Sequence, residues 1–146
     1  MTTPTALFVC VKNGGKSQMA EALLRHHVGD RIIAESAGTK AGEKLNAESV
    51  ESLAELGATM DGSPRQLTDE MLVRADRVIV IGGEAKVEPV EGMRAPIEVW
   101  ETDEPSLRGI QGAERMRLVR DDIDLRVRRL ARQMLGETGF QEEDPQ

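Results

Sequence analysis

Short apolar runs alternate along this chain with stretches in which apolar side chains return every three or four positions. That alternation predicts strands interleaved with helices. Residues Ala6 to Val9 predict a buried first strand, and Ser17 to His27 a helix with Met19, Ala20, Leu23 and Leu24 on one face. Arg31 to Glu35 predicts a short second strand, followed by Ser36-Ala37-Gly38-Thr39. Asn46 suits the N-cap of a helix carrying Val50, Leu53, Ala54 and Leu56, which Gly57 stops. Thr68 caps a short helix through Leu72 and Val73, and Asp76 leads into a β-branched strand from Arg77 to Ile81. Ile97 to Trp100 predicts the last strand.

A long helix is predicted from Gly112 to Leu135, where Met116, Val119, Ile123, Val127, Leu130 and Met134 form a stripe with charge on the other faces. Packing on a sheet explains the stripe. A coiled-coil seam is the alternative, although Leu118, Leu125 and Leu135 make the stripe wider than a seam. Strands alternating with helices imply an α/β fold with a doubly wound parallel sheet. Ligands of such sheets bind beyond the carboxyl ends of the strands. Cys10 ends the first strand and the residues after Trp100 leave the last, so both are expected at one site. A single domain over residues 1–146 is expected, with a loose polar tail over 137–146.

A formal charge of −7 argues against a nucleic-acid partner, which would require a basic patch. It leaves room for a small anion, because one loop's field opposes the global charge locally. Residues Met1-Thr2-Thr3-Pro4-Thr5 lack the basic and apolar segments of a signal peptide, and no apolar run reaches membrane-spanning length. No membrane partner and a cytoplasmic location are the expectations. One cysteine forms neither an internal disulfide nor a cysteine metal cluster, and a reducing compartment suits it. His26 and His27 point apart on a helix, make a poor metal pair, and suit the helix C-terminal dipole instead. No metal and no bound cofactor are expected.

The chemistry gathers at Leu7-Phe8-Val9-Cys10-Val11-Lys12-Asn13-Gly14-Gly15-Lys16-Ser17. An apolar strand runs into a cysteine, a glycine-bearing loop and the start of a helix. Loop amides and a helix N-terminus favour an anion, and the same positive potential favours the thiolate of Cys10. Two motifs compete for the stretch. The nucleotide-binding pattern G-x-x-x-x-G-K-[ST] fits residues 10 to 17 except that its first glycine is Cys10. No aspartate suited to magnesium ends an apolar strand, because Val78-Ile79-Val80-Ile81 runs into Gly82-Gly83. The other motif is the C-x5-R-[ST] loop of low-molecular-weight tyrosine phosphatases and their arsenate reductase relatives, which here reads C-x5-K-S.

The chain resembles that superfamily over nearly its whole length. The resemblance rests on the C-x5-K-S loop, Ser36-Ala37-Gly38-Thr39, the strand Val78 to Ile81, Trp100 followed by Glu104-Pro105, and the stretch Arg115 to Arg126. It is nearest to actinobacterial arsenate-mycothiol transferases, which share VC-x-x-NGGKSQMA, and it implies a four-stranded parallel sheet flanked by helices. Phosphatases of the superfamily hold a phosphotyrosyl ring between aromatic side chains. This chain has no tyrosine, only Phe8, Phe140 and Trp100, and offers Glu104-Pro105-Ser106-Leu107 there. Stacking worth about 0.5–1.5 kcal/mol per aromatic pair is thereby lost. Thioredoxin-coupled arsenate reductases use two further cysteines near the third strand, where this chain has Gly82 to Pro89 and none. If the protein reduces arsenate, as the resemblance implies, an external thiol must take the arsenic. Lys16 replaces the usual arginine, so a point charge stands in for a bidentate fork.

Roles follow residue by residue. Cys10 is the expected nucleophile, against a reading as a small buried hydrophobe. Val11, Lys12, Asn13, Gly14, Gly15, Lys16 and Ser17 are expected to bind the oxyanion. Lys16 would neutralise its charge, and Ser17 would donate to the Cys10 thiolate or cap the helix. Asn13 is expected to brace the loop. Glu104 occupies the place of the family's general acid, normally aspartate, with Asp103 as rival. A charged loop without a catalytic part is the plain alternative. Ser36 and Glu21 resemble residues that support the loop in thioredoxin-coupled relatives, sometimes around potassium. The fourth ligand has no match near Arg65 and Gln66, so no ion is predicted.

The resemblance thus implies an arsenate reductase with mycothiol as thiol co-substrate and a mycoredoxin-type protein as reductant. A phosphatase acting on a non-aromatic phosphoester and a nucleotide- or oxyanion-binding module are the alternatives.

Overall fold

The computed structural model describes residues 2–136. Its elements run β1 (Thr5–Cys10), α1 (Lys16–Val28), β2 (Ile33–Gly38), α2 (Ala47–Ala54), α3 (Asp69–Arg74), β3 (Arg77–Ile81), β4 (Ile97–Trp100) and α4 (Gly112–Leu135), with a 3-10 turn at Pro105–Arg108 before α4. All strand pairs are parallel, in the order β2-β1-β3-β4. The expected α/β fold with a four-stranded, doubly wound parallel sheet is the one observed.

Alternation along β1 sorts the core into two layers, because successive side chains of a strand point to opposite faces. Ala6 and Phe8 join Ile79, Ile81 and Trp100 under α1 and α4, whereas Leu7 and Val9 join Val78, Val80 and Leu72 on the α3 side. Phe8 and Trp100 meet ring to ring at 5.8 Å. Ile123, Val127 and Leu130 of the α4 stripe are buried in the first layer, each contributing about 1.5–3 kcal/mol. The stripe therefore packs within the chain and is not a coiled-coil seam. β1 lies between β2 and β3, so Cys10 ends at the switch point of the sheet, where neighbouring connections diverge.

Three sequence expectations need correction. β2 begins at Ile33 and runs through Gly38, past the expected end at Glu35. Ser36 reads as a strand-ending polar residue, but its hydroxyl is buried against a carboxylate of α1. The apolar faces are narrower than the pattern implies: Leu56 and Leu125 are exposed. Charge in α4 is not confined to solvent either, since Arg120 is buried and donates to the Ser52 carbonyl and to Glu55, both at 2.8 Å. His27 sits in the last turn of α1, as the dipole reading requires, and also meets Asp124 of α4 at 2.6 Å. The tail expected over 137–146 lies outside the described residues. Among the described residues, no helix is long and apolar enough to cross a membrane.

Candidate active site

β1 delivers Cys10 to the mouth of a loop whose shape is held from outside. The carbonyls of Cys10, Val11, Lys12 and Gly14 accept from the amides of Thr39, Lys40, Gly42 and Asn46, at 2.7–3.0 Å. The C=O and N–H of a trans peptide point in opposite directions. Carbonyls turned outward therefore turn the N–H groups of Val11, Lys12, Asn13 and Gly15 inward. The Asn13 amide follows this rule and donates to Cys10 Sγ at 3.3 Å. Helix α1 then opens on Gly15 with no side-chain cap and no acid in its first turn. Such an end leaves amide donors and positive potential for an anion.

Close packing explains two of the glycines. A Cβ on Gly14 would stand 2.6 Å from the Lys44 carbonyl oxygen, and one on Gly38 would stand 2.5 Å from that of Val11. The Ser36-Ala37-Gly38-Thr39 motif is thus the outer wall that shapes the loop.

Asn13 is fully buried and sits in the left-handed region with φ 56°. Its amide nitrogen donates to Ser17 Oγ at 2.8 Å, and its oxygen accepts from the Arg65 backbone at 2.8 Å and from Gln18 at 3.3 Å. Ser17 Oγ lies 2.8 Å from Cys10 Sγ. Because Ser17 already accepts from Asn13, its own proton is free for the sulfur. Two donors, the Asn13 amide and the Ser17 hydroxyl, therefore converge on Sγ, an arrangement that suits a thiolate.

Behind the loop, Glu21 is only 2% exposed. It accepts from Ser36 Oγ at 3.0 Å and from Arg65 at 3.1 Å, with Arg25 at 3.3 Å. Ser36 and Glu21 do meet beneath the loop. A guanidinium fills the position facing Glu21, so the cluster carries its own positive charge and does not fit a monovalent cation. Arg65 gives no sequence signal as a loop residue, because its link to Asn13 runs through its backbone amide.

Lys16 is half-buried and reaches towards the segment after β4, with Nζ 2.9 Å from Thr102 Oγ1 and 3.9 Å from Glu104. Trp100 and Cys10 thus end neighbouring parts of one site, as the sheet rule requires. Glu104 is gripped by Arg115 at 2.9 and 3.2 Å and accepts from Ser106 Oγ at 2.7 Å. Arg115, and then Ser106, hold its carboxyl down to about 2 despite partial burial. Asp103 faces Arg108 at 2.7 and 3.1 Å, and that pairing lowers its pKa as well. Both carboxyls are thus tied to an arginine, and each pairing favours the ionised form. Sequence reasoning misses Thr102 and Arg115 as site residues. Arg115 lies in a stretch notable for its family likeness, the one signal available for it.

Residues 5–139 match the low molecular weight phosphotyrosine protein phosphatase family. The chain belongs to that family. An arsenate reductase of Bacillus licheniformis is 32% identical over 138 residues, covering 90% of this chain and 97% of the relative. A solved thioredoxin-dependent arsenate reductase of Corynebacterium glutamicum superposes with a TM-score of 0.73 at 30% identity, over 90% of this chain. This chain spans only 61% of that longer one. The solved arsenate reductase of Archaeoglobus fulgidus gives a TM-score of 0.68 at 27% identity, covering 86% of this chain and 97% of that one. Membership in this family also answers the competing nucleotide-loop reading. The residue in place of that motif's first glycine is the cysteine whose sulfur the loop surrounds.

Proposed function

We propose that this chain is an arsenate reductase that transfers arsenic from Cys10 to an external low-molecular-weight thiol. One observation carries the reading: the chain's lone cysteine points its sulfur into a bowl of amide donors, with no second cysteine to form a disulfide. Arsenate suits the bowl as a tetrahedral oxyanion. The Cys10 thiolate attacks arsenic, an As–O bond breaks, and the departing oxygen leaves as water. Singly charged dihydrogen arsenate, the thiolate and one proton thus give a singly charged arsenate joined to Cys10 Sγ and one water. With Glu104 and Asp103 ionised, solvent supplies the proton. Lys16, drawn between the anion and the Thr102–Glu104 pair, balances the charge, and Glu104 acts as a positioning residue through Lys16.

The thiolate of the co-substrate then attacks arsenic and the As–Sγ bond breaks, regenerating the Cys10 thiolate without change of oxidation state. Mycothiol is the thiol that the resemblance of the loop favours. A mycoredoxin-type protein then reduces the adduct to arsenite, and a cytoplasmic location suits this thiol chemistry.

The test is arsenite formation from purified protein, arsenate, mycothiol and mycoredoxin, with each component omitted in turn and with Cys10→Ser. Turnover requiring all four and lost in Cys10→Ser is expected. Full activity of Cys10→Ser would overturn the mechanism. Robust hydrolysis of a phosphoester by the same cysteine, with no arsenite formed, would turn the reading to a phosphatase.

A further inference from the structure

The bowl around Cys10 opens into a cleft of about 670 Å³, lined by Cys10, Lys12, Gly14, Gly15, residues 40–45 and Asn46. No residue of the 101–109 segment lines it. A tetrahedral oxyanion held by the loop needs a small part of that space. Clefts of roughly 300–1,000 Å³ are the size that takes a drug-sized ligand.

The walls are unusual for this chain. Lys12, Lys16, Lys40, Lys44 and Lys86 are its only lysines, and Lys12, Lys40 and Lys44 line this one cleft. Among the described residues none of these three has a carboxylate partner, whereas arginines such as Arg74, Arg77, Arg108, Arg115 and Arg117 are tied to acids elsewhere. Glu43 is the one acidic side chain of the lining. Free ammonium groups around a low-walled cleft concentrate positive potential where the rest of an acidic chain repels anions. Gly14, Gly15 and Gly42 contribute backbone and no side chain to the lining. Ala41 and Leu45 are the aliphatic side chains of the lining, and none of its residues is aromatic.

We propose that this cleft is the docking site of the second substrate, a polar small-molecule thiol that arrives as its thiolate and lies along Lys12, Lys40 and Lys44. The inference rests on the transferase reading above. The lysines favour the ionised sulfur and hydrogen-bond the acceptor-rich remainder of the molecule, and the proton lost from the thiol passes to solvent. Cys10 itself lines the cleft, so the sulfur of the docked thiol can reach arsenic there. The new S–As bond forms as As–Sγ breaks, and the electron pair returns to Cys10.

Two measurements on the full chain test this. In the coupled assay, the double variant Lys40→Glu/Lys44→Glu should raise the KM for mycothiol by about tenfold or more, leaving the KM for arsenate within about twofold. A rise confined to the arsenate KM would overturn docking and make the lysines a funnel for the first substrate. In parallel, mycothiol itself is titrated calorimetrically into Cys10→Ser protein, which has no cysteine, holding inorganic phosphate. Binding on top of phosphate, lost in the lysine variant while phosphate binding persists, is expected. Absence of binding, or displacement of phosphate, would overturn the proposal. Because this arm needs no turnover, an inactive wild type would sink the reductase reading while leaving the docking site separately decided. Retained phosphate binding shows that the variant is folded.

Discussion

Arg115 holds Glu104 through both carboxylate oxygens, at 2.9 and 3.2 Å, and Lys16 stands 3.9 Å from the same carboxylate. Held in this way, Glu104 favours a role as an anchor for the Lys16 charge over one as a proton donor. Glu104→Gln should therefore keep kcat within about tenfold of wild type, whereas loss of a general acid costs about 10²–10⁴-fold. Steady-state arsenite formation from pH 6 to 8.5 checks this. A loss beyond a hundredfold, with a basic limb that disappears in the variant, would return Glu104 to the acid role.

The same ion pair has a signature in stability. The folded-state pKa of Glu104, about 2, lies below the ordinary 4.5. Its stabilising contribution is complete above about pH 4.5 and fades as pH falls towards 2. Thermal melts of wild type and Glu104→Gln should differ fully above about pH 4.5 and converge only as pH falls to about 2 and below. A gap that does not change with pH would show that the pair contributes nothing.

Asn13 links three partners while fully buried, so Asn13→Ala removes the acceptor of the Arg65 amide and one partner each from Ser17 and Gln18, which keep Cys10 Sγ and the Ser63 carbonyl. Each buried polar group left unsatisfied costs about 1–3 kcal/mol, and alanine is also strained at φ 56°. A urea midpoint shift corresponding to at least about 2 kcal/mol is expected, with weaker phosphate binding by calorimetry. Unchanged phosphate affinity would remove Asn13 from the loop's support.

Gly38 is far from the reacting sulfur in sequence yet touches the loop. Gly38→Ala places a methyl group 2.5 Å from the Val11 carbonyl oxygen. Backbone must move, at a cost of about 1–3 kcal/mol. The tilt of that peptide should weaken phosphate binding more than the global stability loss accounts for. Equal oxyanion affinity in wild type and variant would contradict the wall role given to Gly38.

Arg65→Met removes the charge facing buried Glu21 and leaves Ser36 and partly exposed Arg25 to hold it. Because the Arg65 side chain is itself 43% exposed, the expected loss is about 1–3 kcal/mol, below that of a fully buried pair. Chemical denaturation measures it. Added potassium should leave the wild type unchanged, since its own guanidinium already occupies that side of Glu21.

Local chemistry is legible in the chain itself. Period and turn residues determine the strand–helix alternation, the parallel sheet and the thiol at the end of β1, because backbone geometry and burial act on neighbours in sequence. The Cys10-to-Ser17 spacing carries the turn of the loop around the sulfur for the same reason, and Asn13's hydrogen bonds across the loop come with it. What lies beyond sequence depends on distant pairings. The polar residue Ser36 continues β2 because Glu21 of another element satisfies its hydroxyl. Arg120 is buried because Ser52 and Glu55 meet it. Glu104 has its carboxyl pKa lowered because Arg115 stands opposite it. A carboxylate's protonation and a lysine's freedom are set by which charge folds up beside them, and only tertiary structure brings those charges together.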